Sequence, residues 1–285
     1  MTKWTATDLP DLTGKTMLIT GAGGGLGLVA ARELARVGAR VVLAVRNPDK
    51  ARPAVAGMPG DLQIRKLDVS DLTSVREFAS SWTGPLDVLV NNAGVMDVPA
   101  ARTTDGFDVQ TATNYLGPFV LTRLLLPSIS DRVVGVTSQL HRLARLDLDD
   151  IDWRIRDYRS MAAYRDSKLA LVLFSLELQR RLAAEGSPVR SVLAHPGIAR
   201  TGIVAHSPSG AIMRLGPLLN DVERGALPTL FAATQPVPGN AYVGPDGLGS
   251  VKGHPTVRRP SKAGLDPKTA KALWQATAEL TGMPG

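Results

Sequence analysis

Residues 15–27 read KTMLITGAGGGLG, an apolar run followed by five closely spaced glycines. The pattern predicts a short buried strand over residues 15–20 and, after the glycines, a helix over residues 28–37. A strand, a glycine-rich turn and a helix in this order are typical of a pyrophosphate cradle, because glycines let the backbone approach closely and the helix N-terminus offers free N–H groups. A flexible glycine loop is the alternative, which the flanking elements disfavour.

The second predicted strand, Arg40–Val45, ends at Arg46. In a dinucleotide-binding fold this strand end faces the adenosine ribose, where a carboxylate binds a 2′-hydroxyl and an arginine accepts a 2′-phosphate. Arg46 offers a cation in a position without a carboxylate, so the sequence favours NADP(H) over NAD(H). An ordinary surface arginine at a strand end is the alternative.

Strands and helices continue to alternate along the chain. Further strands are predicted at 62–67, 86–90, 132–137, 189–194 and 240–243, and helices at 71–82, 105–126, 158–184, 222–234 and 265–280. The alternation predicts an α/β fold, a single-domain doubly wound (Rossmann) parallel sheet with helices on both faces. Within one domain of 1–285 we expect cofactor-binding elements mainly in 14–115, catalytic elements in 114–201, and a substrate flap with the C-terminal region in 202–285.

Composition narrows the classes of function. The chain has 285 residues and no cysteine, which excludes a disulfide framework, a thiolate metal site and a cysteine nucleophile. The net charge is +7, but the arginines between 132 and 165 alternate with aspartates, so we predict a solvated surface and no nucleic-acid partner. No apolar run is long enough to span a bilayer, so we expect no stable membrane insertion, and a cytoplasmic enzyme fits the composition.

Tyr164 and Lys168 are four residues apart in the predicted helix 158–184 and therefore lie on one face. A fixed cation beside a phenol favours the phenolate and lowers the phenol's pKa, which would let the pair move protons near neutral pH. Two solvated polar residues on a helix are the alternative. Motifs elsewhere in the chain are needed to decide between them.

Several polar residues and irregular segments are further candidates. Asn114, with Pro118 four residues later, interrupts a predicted apolar helix, as either a functional break or a tolerated kink. His195, beside a proline at a strand end, is interpreted as structural rather than catalytic. The stretch 139–157 is interpreted as an insertion or loop, and 203–219 as either a flap over a lipophilic pocket or a packed loop.

The ordered set of these motifs resembles the classical short-chain dehydrogenase/reductase family, in particular its retinol-dehydrogenase-like branch. The resemblance extends over nearly the whole chain. It rests on Thr20-Gly21-x-x-x-Gly25-x-Gly27, Asp68-Val69, Asn91-Asn92-Ala93-Gly94, Asn114, Ser138, Tyr164-x-x-x-Lys168 and Pro196-Gly197-x-x-x-Thr201.

The resemblance implies a role for each of these residues. Tyr164 is expected to be the catalytic acid/base, and Ser138 to hydrogen-bond the same substrate oxygen. Lys168 is expected to lower the pKa of Tyr164 and hold the nicotinamide ribose, while Asn114 positions a water that relays protons to Lys168. The remaining cofactor contacts are expected from Gly21, Gly25, Leu26, Gly27, Arg46, Asp68, Val69, Asn91, Ala93, Gly94, Pro196, Gly197, Ile198 and Thr201, and no metal is expected.

The activity implied is that of an NADP(H)-dependent oxidoreductase that interconverts an alcohol and an aldehyde or ketone on a lipophilic small molecule. A catalytically silent NADP-binding sensor on the same fold is the alternative, since a fold does not determine a function. Two departures from the family bear on the site. Gly23-Gly24 replaces an Asn-Ser pair of many relatives, and the insertion between Ser138 and Tyr164 could reshape the pocket entrance or the helix pairing of a homo-oligomer.

Overall fold

One sheet of eight strands is formed by residues 3–198 and 220–285, the part of the chain that the computed structural model describes. The strands are β1 Thr16–Thr20, β2 Arg40–Val45, β3 Asp61–Lys66, β4 Leu86–Asn91, β5 Ile129–Val136, β6 Arg190–Ala194, β7 Tyr242–Pro245 and β8 Pro255–Arg258. Their order is β3-β2-β1-β4-β5-β6-β7-β8. All neighbours pair in parallel except β7 and β8, which are antiparallel.

The order of the strands places a topological switch point between β1 and β4. From β1 the chain first builds outward through β2 and β3, and then returns to the other side of β1 with β4. Crossover loops leave the sheet in opposite directions on the two sides of such a point, which opens a crevice at the carboxyl ends of the strands. The glycine-rich turn after β1 lies at this crevice.

The helices cover both faces of the sheet. They are α1 Gly25–Arg36, α2 Pro48–Val55, α3 Leu72–Ser80, α4 Val109–Thr111, α5 Gly117–Leu125, α6 Ser160–Ala184, α7 Val222–Thr234 and α8 Pro267–Thr281, with a π-helix at Ala112–Leu116 between α4 and α5. Side chains of α1 and α7 pack in one apolar layer, and side chains of α3, α5, α6 and α8 pack in the other. Strands β1, β2 and β4 are buried over most of their length and are largely apolar, whereas β3, at the edge of the sheet, is polar and only half-buried.

α8 covers the outer side of α5 and α6 through an aromatic cluster. The Trp274 ring of α8 stacks on Phe174 of α6 at 5.7 Å and meets Phe119 of α5 edge-on at 5.2 Å, measured between ring centroids. Next to this cluster the hydroxyls of Tyr115 and Thr277 are 2.6 Å apart and share a buried hydrogen bond. α8 therefore packs against both helices and against the π-helix that precedes α5.

The structure confirms the predicted fold class and changes three details. The predicted helix 105–126 is three segments, because the chain shifts at Ala112–Leu116 to π-helical pairing in which the Gly117 N–H donates to the Ala112 carbonyl. The expected edge strand near 240–243 is β7 and lies inside the sheet, since β8 pairs outside it. The third detail is α2, a helix that begins at Pro48 and that the sequence pattern did not indicate.

Candidate active site

The glycine-rich turn brings two backbone segments into close contact. Gly21 has a left-handed φ of +67°, and a Cβ added there would lie 2.8 Å from the Cα of Ala93, in the loop after β4. A Cβ on Gly27 would lie 2.5 Å from the side-chain nitrogen of Asn92 in that same loop. Only glycine allows these approaches, so the spacing of the motif reflects the packing of the β1 turn on the β4 loop.

The N-terminus of α1 opens into a cavity of about 480 Å³ at the switch point. Gly24 is the N-cap of α1 and, as a glycine, has no side chain to cap the helix, so the first N–H groups of the helix remain available to an anion. A Cβ on Gly24 would meet no atom within 4 Å, so the turn is open on this side. The cavity is lined by Gly21, Gly24, Gly25, Leu26, Gly27, Arg46, Leu67, Asp68, Val69, Ser70, Asn92, Ala93, Gly94, Val95, Met96, Val98, Val109 and Thr113.

This cavity fits the diphosphate and the adenosine half of a dinucleotide. The uncapped helix end and the glycines form a cradle for phosphate, and Arg46 stands exposed at the end of β2. Within the described residues the Arg46 guanidinium makes no ion pair, whereas Asp68 at the end of β3 accepts from the backbone N–H and the hydroxyl of Ser70, at 2.9 and 2.6 Å. Asp68 is therefore held in a fixed orientation, and the positive charge of Arg46 is not neutralised by a neighbour.

Asn91 does not line this cavity, contrary to the sequence prediction. Its side chain is 2% exposed and donates to the Thr122 hydroxyl at 2.9 Å, on the opposite side of the strand. Asn92 lines the cavity in its place, and its amide donates to the Thr20 carbonyl at 2.8 Å. The reason is the alternation of side chains along a strand, which places adjacent residues on opposite faces.

Tyr164 and Lys168 lie one turn apart on the buried face of α6, at 5% and 4% exposure. The Lys168 ammonium is 5.9 Å from the centre of the Tyr164 ring and donates to the Val136 carbonyl, at the end of β5, at 3.0 Å. Tyr164 also packs against Met96, a cavity-lining residue, with Leu140 and Met161 beside them. The predicted acid/base pair therefore adjoins the cavity and has apolar neighbours.

The pKa values of the pair differ from the sequence expectation. Burial raises the pKa of Tyr164, and a hydrogen bond with the Ser138 side chain lowers it by less than burial raises it. Burial lowers the pKa of Lys168 to about 8. In this structure the pKa of Tyr164 is therefore raised, and the Lys168 ammonium donates to a backbone carbonyl rather than to the phenol oxygen.

Ser138 begins the short 3₁₀ helix Gln139–Leu143 that follows β5. Its hydroxyl oxygen accepts from the Leu140 N–H at 3.2 Å, which uses a lone pair and leaves the hydroxyl proton free to be donated. Its carbonyl accepts from the His141 backbone N–H at 3.1 Å and faces the His141 Nδ1 at 2.7 Å. The sequence interpretation overlooked His141 because it assigned the whole stretch 139–157 to an insertion.

Asn114 lies in the π-helix and is fully buried, with its side chain engaged by the neighbouring loop. Its amide oxygen accepts from the Val95 N–H, and its two amide protons go to the Val95 carbonyl and the Ser167 hydroxyl, each at 2.9 Å. The Ser167 hydroxyl in turn donates to the Tyr164 carbonyl at 2.8 Å. Asn114 therefore ties the β4 loop to α6, and only its oxygen atoms remain able to accept a hydrogen bond from a water.

The segment after β6 is tightly packed beside the site. Gly197 has a φ of +70°, and a Cβ there would lie 2.2 Å from the Val251 carbonyl, which also accepts from the Ile198 N–H at 3.1 Å. Pro196, Gly197 and Ile198 do not line the cavity described above. Thr201 and the proposed flap 203–219 lie outside the described residues.

His195 is buried and structural, in agreement with the sequence interpretation. Its ring stacks on Tyr242 with centroids 5.0 Å apart, and burial lowers its pKa to about 3. A neutral imidazole inside the sheet is consistent with packing and not with proton exchange near neutral pH.

A doubly wound sheet with a phosphate cradle at its switch point defines a dinucleotide-binding protein, and the tyrosine–lysine pair beside the cradle points to the oxidoreductases among them. A family model described as short chain dehydrogenase matches residues 15–144. The chain is 36% identical to human (Homo sapiens) retinol dehydrogenase 13, over 95% of this chain and 86% of that protein, and 36% identical to human polyprenol dehydrogenase, over 96% and 87%.

A crystal structure of an uncharacterized protein from Mycobacterium paratuberculosis superposes with a TM-score of 0.88 at 46% identity, covering 99% of this chain and 98% of that one. The chain belongs to the short-chain dehydrogenase family, on its retinol-dehydrogenase-like branch. It is an NAD(P)-dependent oxidoreductase that acts between alcohols and carbonyl compounds.

The helices of the described residues do not meet the requirements of a membrane span. None of those between 3 and 198 or between 220 and 285 is both long enough and apolar enough to cross a bilayer. Among the same residues, no cluster of histidine and carboxylate side chains could hold a metal ion.

Proposed function

We propose that the protein is an NADP(H)-dependent oxidoreductase that interconverts an alcohol and an aldehyde or ketone on a lipophilic small molecule, with Tyr164 as the acid/base. The observation that carries the proposal is the burial of Tyr164 and Lys168 together beside a phosphate-cradling cavity, with the Ser138 side chain hydrogen-bonded to the tyrosine. A cytoplasmic location, association into homo-oligomers and the division of the chain into cofactor, catalytic and flap regions remain predictions from the sequence.

The bound nicotinamide supplies or accepts the hydride. Tyr164 donates its phenolic proton to the carbonyl oxygen during reduction and takes the hydroxyl proton during oxidation. Ser138 donates its hydroxyl proton to the same oxygen, since its own oxygen already accepts from the Leu140 N–H. Both donors are held by helix and backbone hydrogen bonds, so they are oriented before charge develops on the substrate oxygen.

Lys168 supports the phenolate during this step. Its pKa of about 8 means that the ammonium is charged below pH 8 and loses its charge as the pH rises through that value. A cation near the phenol stabilises the phenolate that forms when Tyr164 gives up its proton. Proton donation by Tyr164 is therefore supported by Lys168 mainly at and below neutral pH.

The preference for NADP(H) rests on Arg46. Its guanidinium lines the cavity at the end of β2, is exposed, and forms no ion pair with a described residue. An arginine in this position can bind a 2′-phosphate through charge-assisted hydrogen bonds. Asp68 also lines the cavity, but its carboxylate is occupied by Ser70.

The lipophilic substrate is inferred from the side chains around the acid/base. Met96, Leu140 and Met161 pack with the Tyr164 ring, so the surroundings of the reacting oxygen are apolar and, because methionine is flexible, adaptable in shape. Retinol and polyprenol, for which two relatives are named, are alcohols on long apolar chains. The same chemistry is proposed for the substrate of this chain.

Tyr164→Phe tests the assigned chemistry. We expect turnover of a lipophilic aldehyde with NADPH to fall by at least about 10²-fold, because the substitution removes the acid/base proton, while NADPH still binds because the ring remains. Tyr115→Phe is the matched control, since the Tyr115 hydroxyl shares its hydrogen bond with Thr277 of α8 and neither residue lines the cavity. A Tyr164→Phe enzyme as fast as the wild type would refute the role of Tyr164, and tight NADPH binding by a wild-type protein without turnover would favour the sensor.

A further inference from the structure

His141 connects the proposed catalytic serine to a distant part of the chain. Its ring is 1% exposed and lies between two backbone groups, the Ser138 carbonyl at 2.7 Å from Nδ1 and the Ser261 N–H at 3.0 Å from Nε2. Ser261 follows β8, more than a hundred residues further along the chain. The imidazole is thus a bridge between the turn that carries Ser138 and the segment after β8.

The two contacts determine which ring nitrogen carries the proton. A backbone N–H can only donate, so the nitrogen that faces Ser261 must accept, and Nε2 is unprotonated. Nδ1 then carries the hydrogen and donates it to the Ser138 carbonyl, which can only accept. A neutral imidazole in this one tautomer satisfies both partners, whereas the cation would place two donors opposite each other at Ser261.

The surroundings of the ring favour the neutral form. Burial lowers the pKa of His141, the hydrogen bond to the Ser138 carbonyl raises it, and the positive charge of Arg142 lowers it. From β7 the Tyr242 ring meets the imidazole edge-on at 5.6 Å, and from the end of β6 the ring of His195, itself neutral, stacks on the same tyrosine. None of these groups offers the negative charge that an imidazolium would need.

Ser138 is held by this arrangement at its carbonyl, not at its hydroxyl. The carbonyl receives two donors from His141, the backbone N–H and Nδ1–H, and the hydroxyl oxygen receives the Leu140 N–H. When these bonds are formed, the Ser138 hydroxyl proton can point toward the Tyr164 oxygen and the substrate. Loss of the Nδ1 donor would leave a buried carbonyl short of a partner and loosen the turn.

Two further hydrogen bonds hold the segment after β8, which contains Ser261, in place. The Gly264 N–H donates to the Ser261 hydroxyl at 3.1 Å, and the guanidinium of Arg142, next to His141, donates to the Arg259 carbonyl. These bonds fix the direction in which the Ser261 N–H points at the ring. The segment that contains Ser261 therefore determines the position of Nε2, and with it that of Nδ1, although it lies outside the turn that carries Ser138.

We propose that His141 is a positioning residue for Ser138, holding the serine for hydride transfer through its Nδ1–H tautomer while Ser261 holds the imidazole. The inference rests on the proposed function, because it takes Ser138 to donate to the substrate oxygen. It extends that function by adding one residue and one remote segment to the parts that orient the reacting oxygen.

Two substitutions separate the two sides of the bridge. The amide group of an asparagine can take the place of Nδ1 and donate to the Ser138 carbonyl. The amide group of a glutamine reaches further, to the place of Nε2, where it can accept from the Ser261 N–H. We expect His141→Gln to lower kcat by about 10- to 100-fold, the range for a misplaced catalytic group, and His141→Asn to retain most of the wild-type kcat. The affinity for NADPH should be unchanged in both. Equal losses in the two variants would overturn the proposal.

A double-mutant cycle with Ser138→Ala tests whether His141 acts through Ser138. If it does, His141→Gln has no further effect on kcat once the serine hydroxyl is absent. The same fold-loss in the Ser138→Ala background would overturn the positioning role and leave the role of Ser138 intact. Wild-type activity of Ser138→Ala alone would instead refute the part of the proposed function on which this inference depends, so the two failures are distinguishable.

A spectroscopic measurement on the unmutated protein does not depend on whether the variants fold. The ¹⁵N shifts of the His141 ring should report protonated Nδ1 and bare Nε2 at pH 7. An Nε2–H tautomer, or a doubly protonated ring at this pH, would overturn the proposal. His254→Gln is the control for the kinetics, since His254 also faces a backbone carbonyl, that of Trp4, at 3.0 Å but lies away from the site.

Discussion

Replacing Arg46 with alanine tests the cofactor preference without disturbing the fold. The guanidinium is exposed at the end of β2, lines the cavity and makes no ion pair with any described residue, so its removal leaves no buried group unpaired. We therefore expect Arg46→Ala to unfold at the wild-type temperature. Its effect should appear only where a ligand brings a negative charge to that side chain.

The size of the effect follows from the exposure of the arginine. A hydrogen bond to a charged group contributes about 1.5–3 kcal/mol, and screening by solvent and salt favours the lower end at an exposed site. A loss of about 1.5–2 kcal/mol corresponds to a rise of roughly 10- to 30-fold in the Kd of NADPH. NADH, which lacks the 2′-phosphate, should bind the variant and the wild type about equally.

Fluorescence titrations at low and high salt measure the Kd of NADPH and the Kd of NADH for each protein. Wild-type affinity for NADPH should fall more steeply with salt than that of the variant, because one charge–phosphate contact is missing in the variant. Arg52→Ala is the control, since Arg52 is a nearby arginine of α2 that pairs with Asp49 at 3.3 Å and does not line the cavity. Equal weakening of NADPH and NADH by Arg46→Ala, or of neither, would refute the assignment of Arg46.

Three further predictions concern packing, the phosphate cradle and pH. Trp274→Ala should lower the free energy of unfolding by about 3–5 kcal/mol in urea titrations, since a buried indole is lost from the α5–α6–α8 cluster; a loss below 1 kcal/mol would show that the cluster adds little. Gly21→Ala should abolish NADPH binding in calorimetry and destabilise the protein by about 1–3 kcal/mol, because its Cβ would clash with Ala93 at a left-handed φ; tight NADPH binding by this variant would contradict the close approach. Burial raises the pKa of Asp150, but backbone N–H donors from residues 154–156 and the Arg156 side chain outweigh it and lower the pKa to about 2. Because the pKa is lower in the folded state, Asp150 stabilises the protein above pH 4, and this contribution disappears as the pH falls toward 2. Asp150→Asn should lower the free energy of unfolding at pH 7 by up to about 2 kcal/mol. The free energy of unfolding of this variant should also depend less on pH between pH 4 and 2 than that of the wild type.

The parts of the fold that the sequence predicted have strong local signals. β2 and α7 have the predicted bounds, since each is a continuous apolar or periodic run with clear ends. α2 was missed because it begins at Pro48 and contains Pro53, and proline is normally a helix breaker. β8, with four residues, one of them proline, is formed by pairing with β7, a tertiary contact that no local pattern reveals.

In the site, too, the features with a local sequence signal are the ones that could be predicted. The glycines of the turn lie between β1 and α1, and Tyr164 and Lys168 lie one turn apart on α6, as their spacing in the sequence indicates. Whether Asn91 or Asn92 faces the cavity depends on a single residue of strand register, which an apolar run does not specify. The role of His141 depends on Ser261, more than a hundred residues away, so periodicity could not indicate it, although its place three residues after Ser138 was a signal that could have been read.

The position of α8 in the chain has a consequence for synthesis. Phe119 of α5 and Phe174 of α6 leave the ribosome before Trp274, the residue that covers them. The nascent chain can therefore complete its phosphate cradle while an aromatic face on the other side of the sheet still meets water. That face is where a chaperone would be expected to bind, and the docking of α8 is the step that would release it.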